Sequence, residues 1–266
     1  MSDDDKYILN IKTVQSGAFR ILIEALKEIL TDVNLIFDEN GMKIMAMDSA
    51  HTVLVYLKLN ADKFEYFYCK DKHVVGVSMI NLFKLIKTMT NNDTLTLYID
   101  EEDSNKLGIR IENSDKNSIT NYKLNLMDLN EDLFEIPATV FNFVITMPSV
   151  DFQKICRDMN SLADVIEIQS VGQQLRFSCK GDFVEQETII GEADNGMVFV
   201  NNSTESNEIV QGLFMLKNLV MFTKCTNLSN TVDIYLKNNY PLVISYNVGS
   251  LGILKLCLAP KINDDE

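Results

Sequence analysis

Residues able to do covalent chemistry are sparse in this sequence, whereas residues able to hold phosphate recur. His51 and His73 are the two histidines, and neither has a Ser, Cys or carboxylate at a spacing that would activate a nucleophile. The acid pairs Asp4/Asp5, Glu101/Glu102 and Asp264/Asp265 fall in expected loops or tails, where solvation accounts for them better than acid–base work. Cys69, Cys156, Cys179, Cys225 and Cys257 form an odd set without a C-x-x-C pair, so reduced thiols are expected. No Gly-rich phosphate loop occurs, and the DDDK start would bind divalent ions only weakly. The expectation is a protein that is not an enzyme and uses no cofactor and no metal. By contrast, "NLFKLIKTM" from Asn81 reads as a helix with Leu82, Phe83, Ile86 and Met89 on one side and Lys84 and Lys87 on the other.

The element that carries those lysines occurs twice. Asn81–Ile99 aligns without a gap on Asn218–Leu236, pairing Leu82 with Leu219, Lys87 with Lys224, Thr94 with Thr231 and Tyr98 with Tyr235, at a shift of 137 residues. Earlier in each half, at a shift of 133, Phe19/Phe152, Val33/Ile166, Leu35/Ile168 and Ile44/Phe177 agree in character. Two alignments in the same order at nearly the same shift indicate an internal duplication. Each copy of about 130 residues reads helix, strands, helix, strands. The strand signals are short alternating runs bounded by turn residues: Met42–Met47, Thr52–Leu59, Thr94–Ile99, Leu107–Glu112, Thr120–Leu126, Asn142–Met147, Val184–Ile190 and Leu242–Tyr246. The class is α+β with antiparallel sheets. The expected division is residues 1–126, a connector at 127–141 with four acids and one proline, and residues 142–266.

Four amphipathic helices are expected. The first, about Gly17–Leu30, carries Arg20 and Lys27 on one face with Glu24 between them. The second carries Lys84 and Lys87; the third, opened by Pro148, carries Lys154 and Arg157; the last carries Lys217 and Lys224. With 38 acids against 24 bases and a net charge of −14, the chain as a whole repels a polyanion. A single basic surface can still form if the helices of both halves lie on one side of the sheets, and a shallow basic surface suits phosphate contact rather than base readout. MSDDDK lacks the basic and apolar regions of a signal peptide, and no apolar run approaches the roughly 18 residues of a membrane helix. The expectation is a soluble intracellular protein.

Six blocks in order, "AMDSAHTVLV" (Ala46–Val55), "YKLNLMDLNEDLFEIP" (Tyr122–Pro137), "MPSVDFQKICRDM" (Met147–Met159), "FTKCTNLSNTV" (Phe222–Val232), "PLVISY" (Pro241–Tyr246) and "LKLCLAPKINDDE" (Leu254–Glu266), give a chain that resembles proliferating cell nuclear antigen, the eukaryotic-type DNA sliding clamp. The likeness runs from about Tyr7 to the end, as a divergent member of that family.

The resemblance implies two similar domains of the DNA-clamp fold, antiparallel sheets outside and two helices per domain on the inner face, closing as a homotrimer into a pseudo-sixfold ring. It implies a processivity factor that encircles duplex DNA without regard to sequence and tethers DNA polymerase, its loader and other replication and repair proteins. Arg20, Lys27, Lys84, Lys87, Lys154, Arg157, Lys217 and Lys224 match basic positions on the family's inner helices. Met47, His51, Phe134, Ile136, Pro137, Pro241, Leu258, Ala259 and Pro260 match the pocket that takes the partners' short peptide. Tyr122, with Phe183 and Ile189 on the Phe183–Ile190 stretch, matches the edges that join neighbouring subunits. Cys257 stands where the family usually has an aromatic residue, Thr52 where it has an aliphatic one, and Gly172 where it often has a lysine that accepts ubiquitin-type modification. A checkpoint-type clamp subunit of a heterotrimeric ring shares the fold and is the alternative. By analogy the site of action is the nucleus, or a viral replication compartment for a virus-encoded protein.

Overall fold

The computed structural model describes residues 6–130, 139–201 and 209–261. Asp4/Asp5, Asp264/Asp265, Phe134, Ile136 and Pro137 therefore lie outside the described residues. The described residues form two compact units, one of 6–49, 55–130 and 247–254, the other of 50–54, 139–201, 209–246 and 255–261. The short segments 50–54 and 247–254 join the unit remote from their sequence neighbours, which a linear division of the chain does not express.

Among its described residues the first unit runs β1 (Tyr7–Thr13), α1 (Ser16–Leu26), β2 (Asp32–Asp38), β3 (Gly41–Met47), β4 (Val53–Asn60), β5 (Tyr66–Cys69), β6 (His73–Ser78), α2 (Met79–Ile86), β7 (Asp93–Asp100), β8 (Lys106–Asn113) and β9 (Ser118–Asn125). The second repeats that order: β10 (Phe143–Pro148), α3 (Ser149–Asn160), β11 (Val165–Val171), β12 (Gln174–Lys180), β13 (Glu185–Gly191), β14 (Val198–Asn201), β15 (Val210–Met215), α4 (Leu216–Phe222), β16 (Thr231–Leu236), β17 (Leu242–Val248) and β18 (Gly252–Leu258). Strand pairing repeats too. The order β5-β1-β7-β8-β9 in one unit corresponds to β14-β10-β16-β17-β18 in the other, and β4-β3-β2-β6 to β13-β12-β11-β15. The duplication read from the sequence is thus a duplication of topology.

Local chemistry explains the match. In β7 alternate residues Leu95, Leu97 and Ile99 are buried, while in α1 Phe19, Leu22, Ile23 and Leu26 are buried at helical spacing, so each element turns one apolar side to its unit's core. The Ser16 hydroxyl donates to the Thr90 carbonyl at 2.7 Å, and Ser149, at the same place in the second unit, donates to the Ser229 carbonyl at 2.7 Å. Each buried serine fixes the start of its helix against the chain that follows the unit's second helix. The second helices begin directly from strands, and their first amides are held alike: Met79 N–H donates to Thr31 O at 2.9 Å and Leu216 N–H to Asp164 O at 2.8 Å.

Most expected boundaries shift by a residue or two, Pro148 closing β10 as the N-cap of α3 rather than opening the helix, and three differences have a clear local cause. α1 ends at Leu26 rather than Leu30, because Glu28 and Ile29 donate to Ala25 and Leu26 in a tighter turn. The last helix is α-helical only to Phe222, and Thr223–Leu228 continue as a 3-10 helix. There the Thr223 and Thr226 hydroxyls donate to Val220 O and Thr223 O at 2.8 and 2.7 Å, competing for carbonyls that an α-helix would use. The strand expected at Val184–Ile190 is Glu185–Gly191, so Phe183 lies just outside it, 80% exposed. Among the described residues no helix is long and apolar enough to cross a membrane.

Candidate nucleic-acid interface and partner surfaces

The basic residues on the helices differ in how free they are. Lys84 and Lys87 are exposed; Lys84 donates weakly to Asn81 Oδ1 at 3.5 Å, and Lys87 sits at the C-cap of α2 with its N–H on Phe83 O at 2.8 Å, where a cation is favoured by the helix dipole. Lys154 and Arg157 are exposed on α3, Lys217 on α4, and Lys224 on the 3-10 continuation of α4 rather than on the α-helix itself. None of these six makes an ion pair among the described residues. Arg20 and Lys27 do. Arg20 is 3.2 Å from Glu24, and Lys27 bonds Glu28 while its ammonium stands 5.0 Å over the Phe83 ring. Sequence reasoning placed Glu24 between the two bases but missed Glu28 and Phe83. The adjacency of Glu28 to Lys27 was the available signal.

The surfaces expected to take a peptide are described unit by unit. In the first, Met47 lines a groove of about 300 Å³ with Met45, Ala46, Val74 and Leu129. In the second, His51 is exposed in the left-handed region at φ 54°, a conformation uncommon outside glycine. Ala259 N–H donates to Thr52 O at 3.0 Å, holding the carboxyl-terminal segment beside the His51 turn. Ala259 is exposed and Pro241 and Pro260 half-buried, but Leu258 is fully buried; alternation along β18 turns it into the core, so it can only support a pocket from beneath. Sequence reasoning missed an aromatic cluster here. Phe141 meets Tyr235 and Tyr240 edge to face at 5.3 and 5.6 Å, Thr139 Oγ1 donates to the Tyr240 hydroxyl at 2.9 Å, and Lys237 and Lys255 stand over the Tyr240 and Tyr235 rings at 5.6 and 5.4 Å. Cys257 shares the face of β18 that bears Lys255, and burial pushes its thiol up to about 11, which leaves it protonated and a poor nucleophile at neutral pH.

Among the edge strands, β9 and β13 carry the residues expected at a subunit contact. β9 ends the order β5-β1-β7-β8-β9, and β13 begins the order β13-β12-β11-β15. Tyr122 stands on β9 opposite Ile109 and is half-buried; Ile189 on β13 is 46% exposed. Beside β13, a groove of about 380 Å³ is lined by Ile155 and Ile190, with Asp151, Lys154 and Asp158 of α3 at its border. Apolar side chains next to an unpaired strand edge invite another strand. Gly172 occupies the β11–β12 turn at φ 60°, so a lysine there would carry backbone strain. Among the described residues no group of three or more His, Cys, Asp or Glu is placed to hold a metal ion.

Comparison with known proteins agrees with this architecture. The family model described as proliferating cell nuclear antigen, N-terminal domain, matches residues 8–134, and that described as its C-terminal domain matches 135–261. A probable DNA polymerase sliding clamp 1 of Paramecium bursaria Chlorella virus 1 is 37% identical over 262 residues, covering 97% of this chain and 98% of that protein. Proliferating cell nuclear antigen of Chaetomium thermophilum is 33% identical over 264 residues, covering 97% and 100%. The crystal structure of the Entamoeba histolytica antigen superposes with a TM-score of 0.87 at 26% identity, over 96% of this chain and 100% of that one. The chain belongs to the proliferating cell nuclear antigen family.

Proposed function

We propose that this protein is a DNA sliding clamp. Three copies close head to tail around duplex DNA, and the ring tethers a DNA polymerase and other replication proteins that carry short docking peptides. The observation that carries this reading is the segregation of charge within a clamp-family chain: six exposed bases that make no ion pair among the described residues lie on the α2, α3 and α4 segments of a protein whose net charge is −14. In the ring, Lys84, Lys87, Lys154, Arg157, Lys217 and Lys224, with Arg20 and Lys27, would face the phosphates. Such contacts carry no sequence information and exchange readily, so the ring slides while its closure prevents escape. The acidic remainder keeps DNA off the outside by like-charge repulsion.

Closure would use the open edges: β9 with Tyr122 adds to β13 with Ile189 of the next copy, with Phe183 at the margin. A head-to-tail contact of this kind makes a ring when its rotation closes. Partner peptides would dock on the outer surfaces that carry Met47, His51, Pro241, Ala259 and Pro260, with Phe134, Ile136 and Pro137 from the connector. The aromatic cluster of Phe141, Tyr235 and Tyr240 supplies ring surface that Cys257 does not. The protein works without catalysis of its own, in the nucleus or, for a virus-encoded clamp, in the viral replication compartment. Sedimentation tests the assembly: three chains of 30.2 kDa give a particle of about 91 kDa, and a monomer alone at micromolar concentration would overturn the ring.

A further inference from the structure

Within each unit the two helices carry two bases each but differ in the acids beside them. On α1, Arg20 and Lys27 face Glu24 and Glu28, their side chains only 28% and 21% exposed. On α3, Lys154 and Arg157 share the helix with Asp151 and Asp158, one turn to either side of Lys154. Each first helix therefore carries as many acids as bases, in ion pairs on α1 and, on α3, unpaired but about one helical turn from Lys154, inside a screening length. The second helices do not. Lys84 and Lys87 on the α2 segment, and Lys217 and Lys224 on the α4 segment, are exposed and without an acidic partner among the described residues. From Lys72 to Asn92 and from Ile209 to Val232 the chain carries no acidic residue, although 38 of its residues are Asp or Glu.

A cation paired with a carboxylate within about 4 Å looks to a distant phosphate like a dipole, and its field fades well inside a screening length of about 8 Å at physiological salt. We infer that the phosphate-holding charge of this protein resides in Lys84, Lys87, Lys217 and Lys224, and that Glu24 and Glu28 restrain Arg20 and Lys27 from adding to it. This rests on the clamp reading above and ranks the bases that reading treats as equal. The effect is a lighter hold on DNA. Phe83 helps by holding the Lys27 ammonium down between α1 and α2, so that reaching a phosphate would cost both its ring contact and its bond to Glu28.

The test is equilibrium binding of the 266-residue chain to a blunt mixed-sequence DNA duplex of about 20 base pairs, by fluorescence anisotropy at several salt concentrations. Counterion release makes the slope of log affinity against log salt count the phosphates held, at about −0.9 each. The combined variant Lys84→Gln, Lys87→Gln, Lys217→Gln, Lys224→Gln is expected to lose about tenfold or more in affinity and to flatten the slope. Arg20→Gln, Lys27→Gln, Lys154→Gln, Arg157→Gln is expected to lose less than about threefold, and Glu24→Gln with Glu28→Gln to gain about threefold or more. Equal losses from the two base sets, or no gain from the acid variant, would overturn the partition. If neither base set weakens binding while sedimentation shows intact assembly, the clamp reading itself fails. Should a combined variant not assemble, Lys84→Gln and Glu28→Gln singly must still move affinity in opposite directions, and the same sign in both overturns the inference.

Discussion

The Met127 amide donates to the Gly76 carbonyl at 2.8 Å, and a side chain at Gly76 would break this arrangement, since an added Cβ would stand 2.3 Å from the Met127 carbonyl oxygen and 2.9 Å from Leu129 Cγ. Asn34 Nδ2 holds the same segment two strands into the sheet by donating to Asn130 O at 3.3 Å. Residues 127–130 are thereby laid along β6 and β2, where Leu129 walls the groove that Met47 lines. Gly76→Val is predicted to push this segment off the sheet. Thermal denaturation should show a loss of about 1–3 kcal/mol, the usual cost of overpacking, and calorimetric titration should show severalfold weaker binding of a partner peptide, with the sedimenting mass unchanged.

Replacing Lys84, Lys87 and Lys224 together by Glu reverses charge at exposed bases that make no ion pair among the described residues. The expected outcome is an intact assembly that no longer supports processive synthesis by a partner polymerase at moderate salt. Product length on a long primed template checks this, and unchanged processivity would remove these lysines from the DNA interface.

Ile189 is half-exposed on a strand edge whose backbone pairs with nothing else in its unit, so Ile189→Asp should leave the fold of one chain intact while placing a carboxylate where an apolar subunit contact is proposed. Sedimentation equilibrium should then shift toward the 30.2 kDa chain. An unshifted mass would place the contact elsewhere.

Asp93 opens β7 and is 6% exposed. Burial acts to raise its carboxyl, but the Thr90 N–H at 2.6 Å, Asn113 Nδ2 at 2.5 Å and the Thr90 hydroxyl at 3.1 Å hold the charged form more strongly, so the group sits below the ordinary carboxylate range. A depressed folded-state value means stabilisation that is complete above the unfolded value of about 3.9 and is lost as pH falls through the folded value. Asp93→Asn is predicted to lower stability at pH 7 by about 1–3 kcal/mol, as for a hydrogen-bonded buried charge. It should also flatten the decline below about pH 4, which urea unfolding as a function of pH would register.

The duplication was legible in the sequence because each unit has to bury its own apolar stripes, and the spacing of Leu82 and Ile86, or of Phe152 and Cys156, follows from that requirement alone. The bases on the helices were legible for the complementary reason that they occupy the unburied side. Boundaries were less so. Nothing in the periodicity of Leu219, Phe222 and Cys225 separates an α-helix from the 3-10 turns that the Thr223 and Thr226 hydroxyls impose. Leu258 matched the family's pocket by position, but its burial depends on which face of β18 meets the core. Phe141, Tyr235 and Tyr240 come together only in the folded unit, so no local pattern marked them. The neutralisation of Lys27 needed both a sequence neighbour, Glu28, and a residue of another helix, Phe83.

Topological retention tests the central claim most directly. Protein placed by an ATP-dependent clamp loader on closed circular DNA should remain bound through a wash at high salt and should leave when a single cut linearises the circle. Equal retention on circular and linear DNA, or equal loss from both, would mean that the bases grip the duplex from one side and that no ring surrounds it.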